Sequence, residues 1–431
     1  MSSSPLRIGI AGLGTVGSGT LNILRQQSDL LAERCGRKLE VVAISASNKN
    51  KKRDVDVSGL RWVENPLELA NSPEIDVVVE MIGGSEGVAK TLVETALANG
   101  KSVVTANKAL IAHHGVELAK LAEKTGAVLA FEAAVAGGIP IIKTLRDGLA
   151  ANKFARVMGI LNGTCNYILT NMWESKRGFD EVLKEAQELG YAEADPSFDV
   201  DAIDTAHKIS ILASLAYGCA PALDKVYVEG IRRITLRDMK FAEELGYTIK
   251  LLGIAVQTES GIQQRVHPCM VGKASMLGTV QGVYNAVLVE GSSVGRIFLE
   301  GRGAGANPTG SSVVADIMDI ARGVKYKPFS LPVAKLQLDN FTGMESLKSS
   351  YYLRLAVADK SGVLAEVTDI FKQHNISLRT FLQHSHASGE NVQLVLTTHE
   401  TQEANMLTAI AEVSKLSPVL EEPLMIRIEE L

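Results

Sequence analysis

Short apolar runs and stretches of helical period alternate along the first third of the chain. The apolar runs predict strands at residues 6–11, 39–45, 75–81, 102–105 and 127–131. The run at 75–81 (IDVVVEM) is nearly all β-branched, which is typical of a strand covered on both faces. Amphipathic segments between the runs predict helices at 14–27, 86–99 and 115–124. This alternation predicts an α/β domain with a parallel sheet over residues 1–142.

The pattern changes beyond residue 142, where strands and helices no longer alternate regularly. Strand-like runs lie at 154–160, 249–257, 264–271, 284–288 and 297–300. Helical patterns lie at 179–189, from about 200, at 236–245 and at 312–322, and the segment 161–167 turns into a further helix that ends near 174. We expect an α+β domain over 143–325, with the helix at 312–322 packing back on the first domain. Pro328, Pro332 and the polar stretch 339–350 predict a linker over 326–350.

Residues 351–431 have a separate pattern. Strands are predicted at 352–358, 376–383, 392–397 and 425–429, with one helix after the loop 359–364 and another at 404–413. The order βαββαβ predicts a small ferredoxin-like sandwich. His384 and His386 share a strand face like two metal ligands, but no third ligand is evident, so exposed strand-end histidines are the favoured interpretation.

The composition is that of a soluble globular protein with two or three domains. The chain has 431 residues, of which 46% are hydrophobic and 22% charged, and its formal charge of −5 argues against a nucleic-acid partner. No apolar run is long enough to span a membrane. The scattered cysteines, at 35, 165, 219 and 269, fit neither a disulfide framework nor a zinc site, and we expect a reducing cytoplasm. The first strand begins so close to Met1 that no signal peptide is expected.

A glycine-rich turn joins the first strand to the first helix. Its residues are Gly12, Leu13, Gly14, Thr15, Val16 and Gly17. In the G-x-G-x-x-G fingerprint the first glycine permits a tight turn, the second admits a pyrophosphate and the third allows the helix to pack on the strand. A plain glycine turn is the alternative, but the strand before and the helix after favour a Rossmann-type dinucleotide site.

The end of the second strand bears on the choice of dinucleotide. An NAD site usually has an acidic residue there for the ribose 2′-hydroxyl. Here Ser45, Ala46 and Ser47 are followed by a segment with three lysines and an arginine, residues 48–53. The missing acid and the nearby cations favour NADP, although the cations could also belong to a solvated loop and NAD stays possible.

Three further segments carry candidate chemistry. Lys108 follows the strand at 102–105, where it could reach a nicotinamide or simply open a helix at the surface. Residues 301–308 form a second glycine-rich loop, which could meet the cofactor or be only a turn. Asn162, Thr164 and Asn166 are polar helix caps that could also hold a small polar ligand. The segment 132–140, with one carboxylate and exposed carbonyls, reads as a plain loop, although oxygen ligands suit a hard cation.

Residues 190–208 combine a helix stop, an acidic loop and a new helix. The loop carries Glu193, Asp195 and Asp199, and the helix predicted from about residue 200 places Asp201, Asp204 and Lys208 on one face. Five acids and one lysine suit a cationic ligand and a proton donor. A solvated ion-pair surface is the alternative.

These motifs, taken in order, resemble those of homoserine dehydrogenase. The resemblance rests on the glycine turn at 12–17, Thr105-Ala106-Asn107-Lys108, the loop GYAEADP at 190–196 and the segment 204–208, and it covers residues from about 5 to 325. The tail resembles an ACT domain, an amino-acid-binding regulatory module, through Asp359-Lys360-Ser361-Gly362-Val363-Leu364. The arrangement is similar to the monofunctional type that carries an ACT domain.

The resemblance implies a role for each matching residue. Lys208 and Lys108 would be catalytic, and Glu193, Asp204 and Asp199 would bind homoserine. Lys108, Gly190 and Gly305 would contact the cofactor together with residues 12–17. Glu132, Val135, Gly137 and Ile139 would hold a structural sodium ion. Asp359, Gly362, Val363 and Leu364 would belong to the regulatory site.

The implied reaction is reversible hydride transfer between NAD(P)H and L-aspartate 4-semialdehyde, which gives L-homoserine on the route to threonine, methionine and isoleucine. Threonine is the expected effector of the ACT domain, and a homodimer or homotetramer is expected. Two other interpretations stay open: a catalytically silent amino-acid sensor and another NAD(P)-dependent oxidoreductase. The four residues Lys108, Glu193, Asp204 and Lys208 together argue against the sensor, and the GYAEADP loop argues against the other enzyme.

Overall fold

The computed structural model describes residues 4–338, 340–384 and 392–430. The strands are β1 Leu6–Ala11, β2 Leu39–Ser45, β3 Arg61–Trp62, β4 Val77–Glu80, β5 Ser102–Thr105, β6 Leu129–Ala130, β7 Phe154–Ile160, β8 Val226–Val228, β9 Tyr247–Thr258, β10 Gly261–Gly272, β11 Tyr284–Gly291, β12 Gly295–Arg302, β13 Lys348–Val357, β14 Leu378–His384, β15 Val392–Thr398, β16 Thr401–Gln402 and β17 Leu424–Glu429. The helices are α1 Thr15–Gln26, α2 Ser28–Cys35, α3 Leu67–Asn71, α4 Val88–Ala98, α5 Lys108–Thr125, α6 Ile141–Lys143, α7 Gly163–Ser175, α8 Phe179–Glu188, α9 Ser197–Val200, α10 Ile203–Tyr217, α11 Leu236–Glu244, α12 Ala306–Ala321, α13 Val363–Gln373 and α14 Glu403–Val413.

The first sheet is parallel throughout and has the order β3-β2-β1-β4-β5-β6. The chain leaves β1 towards β2 on one side and returns to β4 on the other. Such a reversal opens a crevice at the carboxyl ends of the two central strands, which is where ligands bind in doubly wound sheets. The glycine turn at 12–17 lies at this point, so the expected Rossmann-type fold is confirmed.

Helix α12 packs against α1 and shares its hydrophobic core. Val313, Val314 and Ile317 belong to the same buried cluster as Leu21 and Leu24. The helix begins at Ala306, six residues before the predicted start at 312, because Pro308 falls in the first turn, where proline is tolerated. The glycine-rich loop before it therefore ends directly at a helix N-terminus.

The second sheet runs without a break from the middle of the chain into its tail. Its order is β12-β11-β7-β9-β10-β17-β13-β15-β14. The tail alone has the order β17-β13-β15-β14 and the chain order βαββαβ, so the ferredoxin-like prediction is confirmed. Cys269, Met270 and Val271 of β10 pair in parallel with residues 427–429 of β17. Backbone hydrogen bonds thus join the tail to the middle of the chain.

The segment 326–350 is packed on the molecule. Phe329 is fully buried and its ring lies 5.5 Å from that of Phe131. Isolated bridges pair Gln337 with Cys219 and Phe341 with Ile262. The segment predicted as a linker therefore has fixed contacts along much of its length.

The predicted histidine pair of the tail is only partly described. His386 lies outside the described residues, and of His384 only the place at the end of β14 is described.

In the part of the chain that the structure describes, no helix has both the length and the apolar character to cross a bilayer.

Candidate active site

A cleft of about 620 Å³ lies between the crevice of the first sheet and the second domain. Its lining unites residues that are far apart in the sequence: Thr15, Val16, Ala106, Lys108, Ala133, Ala134, Ala136, Gly137, Asn162, Gly163, Thr164, Gly190, Tyr191, Asp199, Asp204, Lys208, Val283, Asn285, Arg302, Gly303, Ala304, Gly305 and Thr309. Most of the residues expected in catalysis and in substrate and cofactor binding thus meet in one place.

The glycine turn has the geometry that a dinucleotide site needs. Gly12 has a φ of +98°, and a Cβ there would lie 2.3 Å from the Met81 carbonyl oxygen. Gly14 is the N-cap of α1, and no atom would crowd a Cβ at that position. The helix N-terminus therefore faces open space, where its free N–H groups favour a phosphate.

A second pocket, of about 420 Å³, adjoins the other side of the same turn. It is lined by Gly12, Leu13, Gly14, Ser45, Ala46, Ser47, Lys51, Arg53, Glu64, Pro66, Met81, Ile82 and Val88. Arg53 donates hydrogen bonds to the carbonyl oxygens of Asn48 (2.5 Å) and Lys51 (2.8 Å), which holds the basic segment folded against the pocket.

Two lysines share one buried carboxylate in the cleft. Lys108 Nζ lies 2.8 Å from Asp204 Oδ1, and Lys208 Nζ lies 2.7 Å from Asp204 Oδ2. Lys208 also donates a 2.6 Å hydrogen bond to the carbonyl oxygen of Leu161. Lys108 opens α5, whose predicted start at 115 was too late because residues 108–114 continue the same helix.

One prediction about this region is wrong. Asp201 does not share a helical face with Asp204 and Lys208, because α9 ends at Val200 and α10 begins only at Ile203. Ala202 between them has a φ of +67°, which turns the chain. Asp201 instead pairs with Arg232, with Nε 2.5 Å from Oδ1.

Burial and charge shift the pKa values of the two lysines in opposite directions. Burial lowers the pKa of Lys208, and the nearby charge of Asp204 offsets only part of that decrease. Burial also opposes the charged form of Lys108, but Asp204, Asp199 and Glu193 together raise its pKa. The pKa of Asp204 is lowered because the two lysines outweigh its burial. The site thus keeps a carboxylate and one ammonium charged, beside a second lysine that gives up its proton more readily.

Asn162 connects this group to Asp199. Its Nδ2 donates to Asp199 Oδ1 (2.7 Å) and to Asp204 Oδ2 (2.8 Å), while its Oδ1 accepts the N–H of Cys165 at the start of α7. Burial, and then the charge of Asp204, raise the pKa of Asp199. The sequence marked Asn162 as a cap or a polar ligand; nothing in it indicated a bridge to two carboxylates.

The acidic loop is placed less tightly. Gly190 and Tyr191 line the cleft, and Thr164 donates a 2.7 Å hydrogen bond to the Tyr191 carbonyl oxygen. Glu193 is exposed, and among the described residues its carboxylate contacts neither lysine. The sequence also missed Asn285, a buried residue on the opposite wall whose Oδ1 has no hydrogen-bond partner within the described ranges.

The segment predicted to hold sodium lies beside the cleft. The Glu132 carboxylate is buried and accepts the N–H groups of Ile142 (2.9 Å) and Lys143 (2.8 Å). Burial, and then Asp316, raise the pKa of Glu132 to about 7. Ala136 and Gly137 both have positive φ values, so the chain turns sharply between the carbonyl oxygens of Val135 and Ile139.

The candidate regulatory residues lie at the start of α13. Asp359, Gly362 and Leu364 are exposed, whereas Val363 is buried in the core of the tail. Gly362 is the N-cap of the helix, with a φ of +94°. The four residues thus lie together where the loop after β13 enters α13.

Comparison with known proteins finds family matches along most of the chain. Family models match residues 12–132 (homoserine dehydrogenase, NAD-binding domain), 140–318 (homoserine dehydrogenase) and 351–417 (ACT domain). A homoserine dehydrogenase of Pseudomonas aeruginosa is 45% identical over 434 residues, which cover 99% of each chain. The chain belongs to the homoserine dehydrogenase family. It is therefore an oxidoreductase with a nicotinamide-cofactor domain and an ACT domain.

Solved structures of the homoserine dehydrogenase family agree with this assignment. A homoserine dehydrogenase from Thiobacillus denitrificans has a TM-score of 0.94 and 44% identity, with all of both chains covered. A hyperthermophilic archaeal homoserine dehydrogenase in complex with NADPH has a TM-score of 0.65 and 28% identity, and covers 75% of this chain and 99% of its own.

Proposed function

We propose that this member of the family interconverts L-homoserine and L-aspartate 4-semialdehyde, with Lys208 as the proton donor and acceptor and NADP as the preferred cofactor. The observation that carries the proposal is the pair Lys108 and Lys208 on the single buried carboxylate of Asp204. This group faces the N-terminus of α1 across one cleft.

Lys208 acts on the substrate oxygen in both directions. In homoserine oxidation its neutral amine takes the hydroxyl proton, and in aldehyde reduction its ammonium returns that proton. The lowered pKa of Lys208, caused first by its burial, makes the neutral form more accessible than in an exposed lysine. The bound nicotinamide supplies or accepts the hydride.

The other charged residues bind and orient the substrate. Lys108 stays charged because of the three carboxylates around it, and stabilises the negative charge that develops on the substrate oxygen. Asp199, together with Glu193 of the adjoining loop, accepts hydrogen bonds from the substrate ammonium. Asp204 holds both lysines in position.

The direct test is growth of the reduced-nicotinamide absorbance band when the protein is mixed with L-homoserine and NADP, and separately with NAD. We expect the band to grow in a homoserine-dependent way with both cofactors, and faster with NADP than with NAD. A flat trace with both, from folded protein that still binds the cofactor, would refute the activity in favour of a silent amino-acid sensor.

The preference for NADP is attributed to Arg53 and Lys51 in the pocket beside Ser45. A 2′-phosphate there gains charge-assisted hydrogen bonds, each worth about 1.5–3 kcal/mol. Arg53→Ala is expected to raise KM for NADP about tenfold to a hundredfold and to leave KM for NAD within about twofold. Lys52→Ala is the matched control, because Lys52 is exposed and does not line the pocket. Equal loss for both cofactors would contradict this assignment.

We also propose a monovalent cation at Glu132, Val135, Gly137 and Ile139. The donors are all oxygen, which suits sodium, and the sharp turn at Ala136 and Gly137 belongs to the same short segment as the buried carboxylate of Glu132. The raised pKa of Glu132, to about 7, also fits, because a cation would offset the cost of burying its charge. The role is structural and supports the wall of the cleft.

A pH series of thermal midpoints tests the cation. Without it, Glu132 keeps its proton in the folded protein up to about pH 7 but loses it above about 4.5 when unfolded. Stability should therefore fall as pH rises from about 4.5 to 7. Sodium chloride should raise the midpoint by a few degrees over choline chloride at pH 8 and hardly at pH 5. Glu132→Gln should lose this difference, and the same gain from both salts would exclude the site.

The ACT domain is proposed to bind threonine as a feedback effector through Asp359, Gly362, Val363 and Leu364. Their common position at the start of α13, where three of the four are exposed, supports this role. Because ACT domains commonly pair between chains, a homodimer or homotetramer is proposed as well. Inhibition by threonine that survives substitution of Asp359 and Leu364 would place the effector elsewhere.

A further inference from the structure

We propose that Asn162 is a positioning residue that holds the carboxylates of Asp199 and Asp204 together, both ionised, for the substrate ammonium and the two lysines. The inference rests on the proposed function of this cleft. It assigns to Asn162 a task separate from its place as a helix cap.

The side chain of Asn162 is fully engaged. The amide group has two N–H donors and one acceptor oxygen. The donors meet Asp199 Oδ1 at 2.7 Å and Asp204 Oδ2 at 2.8 Å, and the oxygen accepts the Cys165 N–H at 2.8 Å. Asn162 is also buried, so water cannot easily replace these bonds.

The cap determines which way the amide points. A backbone N–H can only donate, so the bond from Cys165 requires the amide oxygen on that side and leaves the NH₂ group on the side of the carboxylates. The start of α7 therefore orients a neutral double donor between two acids. Ser or Asp could serve as the same cap, but Ser would not reach both acids and Asp would repel them.

Charge explains why the donor is needed. Two buried carboxylates side by side favour uptake of a proton by one of them. Asp204 is paired with both lysines, so the proton would go to Asp199. Burial and the charge of Asp204 raise the pKa of Asp199, and the hydrogen bond from Asn162 opposes that rise. A protonated Asp199 would no longer attract the substrate ammonium.

Other charged and titratable groups surround the carboxylates of Asp199 and Asp204. They are Lys108 of α5, Cys165 of α7, Glu193 of the acidic loop, Asp201 between α9 and α10, and His207 and Lys208 of α10. Cys165 stays neutral because burial raises the pKa of its thiol, and burial lowers the pKa of His207 to about 4. Asp199 is thus the group in contact with Asn162 whose charge is most sensitive to its loss.

The experiment measures binding of L-homoserine to the complex of the full chain with NADPH, by calorimetry from pH 4.5 to 8. Wild type should lose affinity only at the acid end, as Asp199 takes up a proton. Asn162→Ser should shift the midpoint of that loss upward by about one pH unit and weaken binding about tenfold near the midpoint. Asn162→Asp should shift it further, because a third carboxylate joins the pair. Binding of NADPH alone should change less than twofold.

The controls separate position from folding. Thr235→Ala removes the cap of α11, outside the cleft, and should lower the thermal midpoint without moving the pH midpoint. Variants of Asn162 that lose affinity equally at every pH would overturn the proposal and leave Asn162 as a cap only. A wild-type chain without homoserine-dependent activity would instead defeat the proposed function.

Discussion

Lys208→Ala is expected to lower kcat for homoserine oxidation about a hundredfold to ten-thousandfold, the usual contribution of a general acid–base. Burial acts against the charge of both lysines, but only for Lys208 does it leave the pKa lowered, and Lys208 also donates to the Leu161 carbonyl oxygen. The variant should still fold, because Lys108 keeps its 2.8 Å contact with Asp204. Its dissociation constant for NADPH should stay within about twofold of wild type.

Lys208→Arg distinguishes proton transfer from charge alone. An arginine keeps the positive charge beside Asp204 but cannot give up its proton in the working range of pH. It should be nearly as inactive as Lys208→Ala while its KM for homoserine stays closer to wild type. Lys225→Ala, at an exposed ion pair with Asp224, is the matched control and should be fully active. Substantial turnover in Lys208→Arg would mean that Lys208 acts only through its charge.

The pH dependence of the wild type follows from the same lysine. Oxidation needs the neutral amine, so its rate should rise with pH and level off below the ordinary lysine value near 10.5, because burial lowers the pKa of Lys208. Aldehyde reduction needs the ammonium and should fall over the same range. In Lys208→Ala both slopes should disappear.

Local patterns in the sequence were enough to predict much of this site. The glycine turn is defined by residues within one strand–helix unit, and Asp204 and Lys208 are four residues apart on one helix, so chain geometry alone brings them together. Most strands of both sheets were predicted for the same reason, since alternation and β-branched runs are local properties, whereas the short strands β3, β8 and β16 were missed.

The remaining features depend on contacts between distant segments. Lys108 reaches Asp204 only because two domains meet, and a carbonyl such as that of Leu161 has no side-chain signature. The turn at Ala202 was missed because alanine rarely adopts a positive φ, so nothing indicated that the helix would break before Ile203. Pairing of β10 with β17 joins residues more than 150 positions apart, which no local pattern reports.

That pairing changes how regulation should be tested. Removing residues from about 345 onward would also remove β17 and leave an edge of β10 unpaired. Lost activity in such a truncation could reflect lost structure as well as a lost effector site. Point substitutions at the junction of the ACT domain with the catalytic domain are the sharper test, and Arg427 of β17 is the central residue there.

Arg427→Met should be the most destabilising of the substitutions considered, at about 3–5 kcal/mol, because it leaves the buried carboxylate of Glu403 without its cation. Arg427 is 1% exposed; it pairs with buried Glu403, donates to Glu229 Oε2 at 3.0 Å and to the Tyr227 hydroxyl at 3.2 Å. Without the guanidinium, Glu403 keeps only the hydroxyl of Tyr351 as a side-chain partner among the described residues. Denaturant unfolding of the full chain should show the loss as a lower transition midpoint.

The controls for Arg427→Met follow from the same contacts. Arg379→Met breaks an exposed pair with Glu430 and should change stability by less than about 1 kcal/mol. Adding Glu403→Gln to Arg427→Met should recover part of the lost stability, because it removes the unpaired buried charge.

The junction also reaches the helix that carries Lys208. Glu229 is followed by Gly230, which packs against Val200 just before α10. Wild-type unfolding in Arg427→Met would show that Arg427 contributes little to holding the two domains together.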